Sequence, residues 1–204
     1  MESLLGKVAV VTGGAGGIGS AICRALAHAG VRVVLTYHDN AARAELLARE
    51  LPGAEHLAVR ASVEDSAALT QLAEQVAARY GRLDILVNNA GITRPVPHAD
   101  LDGLDDETID RILRVNVRGP FACVRAFRAL LAAGEGGLVV NISSVAAQTG
   151  LGSNVAYCAS KAALDSLTRS LARALAPQIR VVSVAPGWVV GGGGVCQPDG
   201  SGGH

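Results

Sequence analysis

The sequence has no excess of either charge: 18 Lys and Arg balance 18 Asp and Glu, for a formal net charge of +0. It therefore lacks the basic surface that non-specific nucleic-acid binding needs, and no nucleic-acid partner is expected. No apolar run approaches the ~18 residues of a membrane span, so no membrane partner is expected either. The first residues lack a basic stretch followed by an apolar segment and cleavage site, and no secretory signal is read there. The four cysteines, Cys23, Cys123, Cys158 and Cys196, are scattered. They form no Cys-x-x-Cys pair and no grouping with histidine that suggests zinc, so no metal site is expected. Isolated cysteines without an export signal read as reduced thiols, and the expected location is cytoplasmic. Half of the 204 residues are hydrophobic and 18% are charged, which excludes an intrinsically disordered chain and suits one domain with a sizeable core.

Short β-branched runs alternate with longer Ala/Leu-rich amphipathic stretches. Strands are expected at 7–12, 31–36, 55–60, 83–88, 137–142 and 179–184. Several are nearly continuous apolar runs, as for strands covered on both faces. Helices are expected at 18–30, 41–51, 66–80, 105–132 and 155–176. Repeated strand–helix alternation with right-handed crossovers specifies an α/β fold, a doubly wound parallel sheet. Pro120 should bend or divide the long fourth helix. No domain boundary is visible before residue 185.

Glycine is abundant, at 25 residues, and concentrated at two places. The first is Thr12-Gly-Gly-Ala-Gly-Gly-Ile-Gly19, between the first strand and first helix. Glycines there let the backbone turn sharply and approach a pyrophosphate, while the helix N-terminus offers free N–H groups to the anion. Tight packing alone would also use glycine, but the strand–turn–helix context favours dinucleotide binding. The second is the segment after Pro186, ending Gly191-Gly-Gly-Gly194 and then 195–204, which has neither helical periodicity nor a confident strand pattern.

Tyr157 and Lys161 lie four residues apart at the start of the last long helix, on one face. A cation near a tyrosine favours the phenolate and brings its pKa from about 10 toward the neutral range. A Tyr packed on the core beside a surface Lys is the structural alternative.

With these motifs the chain resembles the short-chain dehydrogenase/reductase family over roughly residues 4–190. The matching features, in the family's order, are Thr12-Gly-x-x-x-Gly-x-Gly19, Asn88-Asn-Ala-Gly91, Asn116, Ser143-Ser144, Tyr157-x-x-x-Lys161 and Pro186-Gly187. The body is most similar to the 3-oxoacyl-acyl-carrier-protein reductase type. The resemblance implies a Rossmann-type sheet in strand order 3-2-1-4-5-6, in an NAD(P)-binding domain spanning 1–190 and carrying the catalytic residues. It implies hydride transfer between a nicotinamide cofactor and a carbonyl or secondary-alcohol substrate, with a 3-oxoacyl thioester as one candidate. Tyr157 would exchange the proton with the substrate oxygen, Ser144 would stabilise that oxygen, and Ser143 is the lesser candidate. Lys161 would lower the Tyr157 pKa and hold the nicotinamide ribose, and Asn116 would anchor a relay water. Cofactor contacts would come from Gly13, Gly17, Ile18, Gly19, Asn89, Ala90, Gly91, Tyr157, Lys161, Pro186 and Gly187.

For the adenine ribose, the position after the second strand is Thr36 or Tyr37, neither acidic, followed by His38. NADP is therefore the expected cofactor, with NAD the alternative because Asp39 could still reach the ribose. After the third strand, Ser62-Val63 replaces the family's usual Asp and apolar residue. Family members pair the 105–132 and 155–176 helices across a dimer axis, so a homodimer is expected; a tetramer is not, because it uses a final strand absent here. The family continues past this point with a substrate-covering segment and a seventh strand, where this chain has its glycine-rich tail, 191–204. The competing reading is a dinucleotide-binding protein impaired in catalysis for want of that cover.

Overall fold

Six strands, all parallel, assemble in the order β3-β2-β1-β4-β5-β6 in a computed structural model that describes residues 4–189. The strands are β1 (Val8–Val11), β2 (Arg32–Tyr37), β3 (Leu57–Arg60), β4 (Ile85–Asn88), β5 (Gly137–Ile142) and β6 (Ile179–Val184). The helices are α1 (Gly17–His28), α2 (Ala41–Glu50), α3 (Ser66–Tyr80), α4 (Asp106–Leu113), α5 (Gly119–Ala132), α6 (Ala146–Thr149) and α7 (Val155–Leu175). The strand order is that of the expected Rossmann-type fold. The expected tail at 191–204, the question of a seventh strand and Cys196 lie outside the described residues.

The pleat sends alternate side chains to two cores. Val8, Val10, Val34, Leu86, Val139 and Val181 pack against α3 and α5 through Leu69, Leu72, Val76, Cys123, Phe127 and Leu131. Ala9, Val11, Val33, Leu35, Ile85 and Val87 pack against α1 and α2 through Cys23, Ala27, Ala44 and Leu47. Strands buried on both faces must be apolar at every position, which is why β1 reads Val-Ala-Val-Val. The second face is covered less well at its far end. Val182 and Val184, the register partners of Val140 and Ile142, are 44% and 51% exposed.

Side-chain caps explain where several helices begin. Asn40, Asp65, Asp105 and Asn154 each accept one or two N–H groups of the first turn of α2, α3, α4 and α7. Gly81, in the left-handed region at φ 68°, ends α3. The third strand starts at Leu57 and not at 55, because Glu55 has φ 64° and the His56 ring, in place of backbone, takes the Val33 N–H at 3.1 Å.

The long fourth helix is divided, as Pro120 led one to expect, but the break lies upstream of the proline. Arg114–Arg118 forms a π turn, with the Gly119 N–H bonded to the Arg114 carbonyl five residues back. Pro120 sits in the first turn of α5. A proline has no N–H to return to the carbonyl four residues earlier and its ring clashes there; widening the turn relieves both problems. Asn116, 1% exposed, sits inside that wide turn. The one helix not anticipated is α6, a single turn too short to show periodicity; Ser144 Oγ accepts the Ala146 N–H at its start, at 3.2 Å.

At the opposite end of the sheet from the glycine turn, Asp84 accepts the Val8 N–H at 2.8 Å and two bonds from the Arg82 guanidinium at 2.5 and 3.0 Å. Lys7 lies 3.7 Å away. Burial pushes this carboxyl upward, but the Arg82 and Val8 hydrogen bonds outweigh it and hold the group below its ordinary value. Asp84→Asn is expected to cost about 2 kcal/mol at neutral pH. A depressed folded-state value stabilises above the ordinary carboxylate range and is lost as pH falls through the folded value. The gap between wild type and variant in urea unfolding should therefore close toward acid; a constant gap would count against a charged Asp84.

Candidate active site

The glycine turn is held by groups from outside it. Thr36 Oγ1 accepts the Gly13 N–H at 3.2 Å, and the Thr36 carbonyl accepts that of Gly14 at 3.0 Å. Thr36 is 1% exposed and spent on this task, so it is not the ribose-reading position. Asn89 Nδ2 donates to the Thr12 and Gly13 carbonyls, both at 3.0 Å. Thr12 Oγ1 answers by accepting the Asn89 and Ala90 N–H groups, again at 3.0 Å. Two glycines have no room for a side chain. A Cβ on Gly14 would lie 2.6 Å from that of Leu35, and one on Gly19 would fall on the Gly13 carbonyl oxygen and 2.7 Å from Asn89 Nδ2. Unlike α7, α1 starts at a glycine N-cap with no side-chain cap, leaving its first N–H groups to face outward.

A cavity of about 430 Å³ begins at this turn. It is lined by Gly13, Gly17, Ile18 and Gly19, continues past Asn89, Ala90 and Gly91, and reaches Ser144, Tyr157 and Gly187. Thr93, Val145, Leu151, Ser153, Trp188 and Val189 complete the far wall. They come from the segments after Gly91, ahead of α7 and after Gly187; the motifs mark those segments as bordering the pocket, and the fold shows which of their side chains face it. Pro186 is not in the lining; its carbonyl accepts the Val145 N–H at 3.1 Å and ties the chain before Gly187 to the wall.

Asn116 and Lys161 converge behind Gly91. Lys161, 6% exposed, donates from Nζ to the Ile142 carbonyl at 2.7 Å, and its ammonium lies 5.7 Å from the Tyr157 ring centroid. A Cβ on Gly91 would come 3.3 Å from Asn116 Oδ1 and 3.6 Å from Lys161 Nζ. The Asn116 amide is heavily engaged. It donates to the Ile92 carbonyl at 2.9 Å and to Ser160 Oγ at 3.1 Å, and accepts the Ile92 N–H at 2.8 Å. Ser143 is buried and turned toward the Lys161 carbonyl, whereas Ser144 faces the cavity beside the phenol. Beneath the site, Asn88 donates to Asn141 and Asn141 to Thr168, each at 2.8 Å, a buried chain from the sheet into α7.

The electrostatics differ from the expectation that a neighbouring cation brings the phenol down. Burial pushes Tyr157 above its ordinary value; the Ser144 hydrogen bond works the other way but does not prevail. The Lys161 ammonium is itself depressed to about 8 by burial, with Asp165 opposing. The buried lysine and the half-buried tyrosine both shift toward their neutral forms.

The residues after β2 and β3 are arranged less simply. His38 Nδ1 and Asp39 form a 2.8 Å pair, both exposed. Arg60, which the sequence did not single out, reaches across from the end of β3 and donates from Nε to the His38 carbonyl at 3.2 Å. Tyr37 packs against the α1–α2 core. Ser62 Oγ accepts the Glu64 N–H at 3.2 Å, and the Val63 side chain is buried close to Gly119. Neither side chain is part of the cavity lining.

A glycine turn closed to a Cβ at Gly14 and Gly19, an uncapped helix N-terminus and one continuous cavity leading to a Ser–Tyr pair fit a nicotinamide dinucleotide. The short chain dehydrogenase family model matches residues 7–192, so the chain belongs to the short-chain dehydrogenase family. It is 41% identical to cis-4-hydroxycyclohexanecarboxylate dehydrogenase of Sinomonas cyclohexanicum, over 92% of this chain and 75% of that protein. It is 35% identical to the 3-oxoacyl-[acyl-carrier-protein] reductase of a Synechocystis species, over 93% and 76% respectively. A solved dehydrogenase/reductase from Sinorhizobium meliloti 1021 superposes with a TM-score of 0.85 at 39% identity, covering 92% of this chain and 75% of that one.

The Lys161 shift makes a prediction. The unfolded chain keeps the lysine proton to about pH 10.4, whereas the folded chain gives it up near 8. The cost of burying the ammonium is full below pH 8 and is relieved as pH rises through that window. Stability of the wild type should therefore rise relative to Lys161→Met between pH 8 and 10.4, by up to ~3 kcal/mol. Parallel denaturation midpoints across the window would refute a buried, titrating lysine.

Proposed function

We propose that this oxidoreductase is an NADP-dependent carbonyl reductase, or alcohol dehydrogenase in reverse, with Tyr157 as the group that exchanges the substrate proton. The observation that carries the reading is the single cavity joining the uncapped glycine turn to Ser144 and Tyr157. A bound nicotinamide supplies or accepts the hydride. Gly13, Gly17, Ile18 and Gly19 would hold the pyrophosphate on the N-terminus of α1, and Asn89, Ala90, Gly91, Pro186 and Gly187 would border the nicotinamide end. Tyr37, Ser62 and Val63 would border the adenosine end, the latter two through backbone, since their side chains are engaged or buried.

Tyr157, kept neutral by burial, has its proton to give to a carbonyl oxygen. Ser144 donates to the same oxygen as charge gathers there. Lys161 stands behind the phenol, where its charge opposes the burial cost of a developing phenolate and its Nζ can turn from the Ile142 carbonyl to ribose hydroxyls. One lone pair of Asn116 Oδ1 remains beyond its bond to Ile92, and this is the acceptor for a relay water. Arg60 supports NADP over NAD, because it places a guanidinium at the end of β2 where a 2′-phosphate would sit and where the His38 ring could donate a hydrogen bond; Asp39 opposes it.

The outer face of the divided helix and α7 carries the proposed homodimer contact. Leu113, Val117, Phe121, Ala163 and Leu167 line an apolar depression there, with Leu113 and Phe121 39% and 43% exposed. Phe121→Glu is expected to shift the protein from dimer to monomer in sedimentation; an unchanged sedimentation coefficient would place the dimer elsewhere or nowhere.

Oxidation of NADPH, with NADH run in parallel, should follow addition of ketones or 3-oxoacyl thioesters. Tyr157→Phe should lower turnover by about 10²–10⁴-fold while nucleotide affinity stays within a few-fold. Nucleotide binding without oxidation of any substrate would instead identify a catalytically impaired binding protein.

A further inference from the structure

The cavity has a second polar feature besides Ser144 and Tyr157. The chain after Gly91 and the chain before α7 are stitched together. The Val96 N–H donates to the Ser153 carbonyl at 2.9 Å, His98 Nε2 lies 3.0 Å from the Gly152 carbonyl, and the Thr93 and Ser153 hydroxyls bond to each other. Behind them sits Asn154, 0% exposed. Its Oδ1 accepts the Tyr157 N–H at 2.7 Å, and its Nδ2 donates to Thr93 Oγ1 at 3.2 Å and to the Arg94 carbonyl at 2.7 Å. A backbone N–H on one side and a carbonyl on the other fix which end of this amide faces which way.

Counting protons gives the consequence. Thr93 and Ser153 have two hydroxyl protons between them, and their mutual bond uses one. Asn154 meets Thr93 with a donor, so it cannot take the other. One O–H is left, and both residues line the cavity. No charged side chain lines the cavity among the described residues. Arg94, next in sequence, is turned away to Asp105 at 3.0 Å and to the Gly103 carbonyl. The feature is thus a single neutral donor, oriented by a fully buried amide, on the wall of the reaction cavity.

We propose that the Thr93–Ser153 pair, held by Asn154, is a subsite for a second, uncharged oxygen of the substrate. The substrate class is then an oxo compound with a further ester, thioester or hydroxyl oxygen near the reacting carbonyl, in preference to a simple ketone. A carboxylate fits poorly, since no cation would balance it in the wall. This proposal rests on the reading of Tyr157 as proton donor at the same cavity. Asn154 acts as a positioning residue for both: it caps the helix that carries Tyr157 and orients the hydroxyl pair.

The test compares ethyl acetoacetate with 2-heptanone, a chain of equal length without the second carbonyl, as substrates with NADPH. Wild type should prefer the ester in kcat/KM. Thr93→Val/Ser153→Ala should lose about 5–10-fold more on the ester than on the ketone, the worth of one neutral hydrogen bond. Ser153→Ala alone, which leaves the Thr93 proton free and still held by Asn154, should keep most of the preference. Equal kcat/KM for the two probes in wild type, or equal losses on both in the double variant, would overturn the subsite. If the double variant does not fold, Asn154→Asp serves: its carboxylate still caps α7 but takes the Thr93 proton, and the same loss of preference is expected. Absence of NADPH oxidation with either probe would overturn the proton-donor reading and the subsite with it; turnover without selectivity would overturn the subsite alone.

Discussion

The architecture turns on a clasp of a few hydrogen bonds between the ends of β1 and β4. These two strands are neighbours at the middle of the sheet, yet the chain leaves them in opposite directions, toward β2 from one and toward β5 from the other. A crevice must open where the connections part. Thr12 and Asn89 close its floor by exchanging side-chain and backbone hydrogen bonds in both directions. With that clasp made, the glycine turn has one conformation, the N-terminus of α1 points into the crevice, and Gly91 passes close enough to Asn116 and Lys161 for the two ends of the site to be one space. Remove it and the glycine turn and the Tyr157–Lys161 end of the cavity would belong to separate loops.

Much of this was legible from residue order alone. Six apolar runs gave six strands because a strand covered on both faces tolerates little else. Tyr157 and Lys161 could be paired from their spacing because a helix fixes which residues share a face. Two kinds of information were not available that way. One is the fate of short polar side chains: Thr36 looks like a candidate for the ribose but folds inward to hold Gly13, and Arg60 becomes relevant only because β3 lies beside β2. The other is which side chains of separate loops make up a wall. The motifs point to the stretches 92–104 and 146–154 and the chain after Gly187 as the pocket's border, but not to Thr93, Ser153 and Trp188 as the side chains that face it.

The site's electrostatics follow from the burial of its ionisable groups. Tyr157 rises and Lys161 falls because each charged form would be poorly solvated, and the distance between them is set by the Ile142 carbonyl that holds the ammonium. Spacing on a helix predicts that two such groups can interact; it does not say which of their charges the surroundings will tolerate. Buried thiols behave in the same way: Cys23 and Cys123 are pushed up to about 12 and stay protonated.

The π turn at Arg114–Arg118 has a bearing on chain length. Each residue added to a helix rotates everything beyond it by about 100°. The extra residue accommodated in the wide turn therefore sets the phase between α4, whose Ile112 faces inward, and α5, whose Cys123, Phe127 and Leu131 fill the core. Deleting one residue here would leave both helices intact as helices and swing one against the other by more than a quarter of a turn, carrying either Asn116 or the core residues out of place. Outside the buried Val115 and Asn116 this stretch constrains count more than side chain, so in any set of aligned sequences it should be a place where gaps do not fall.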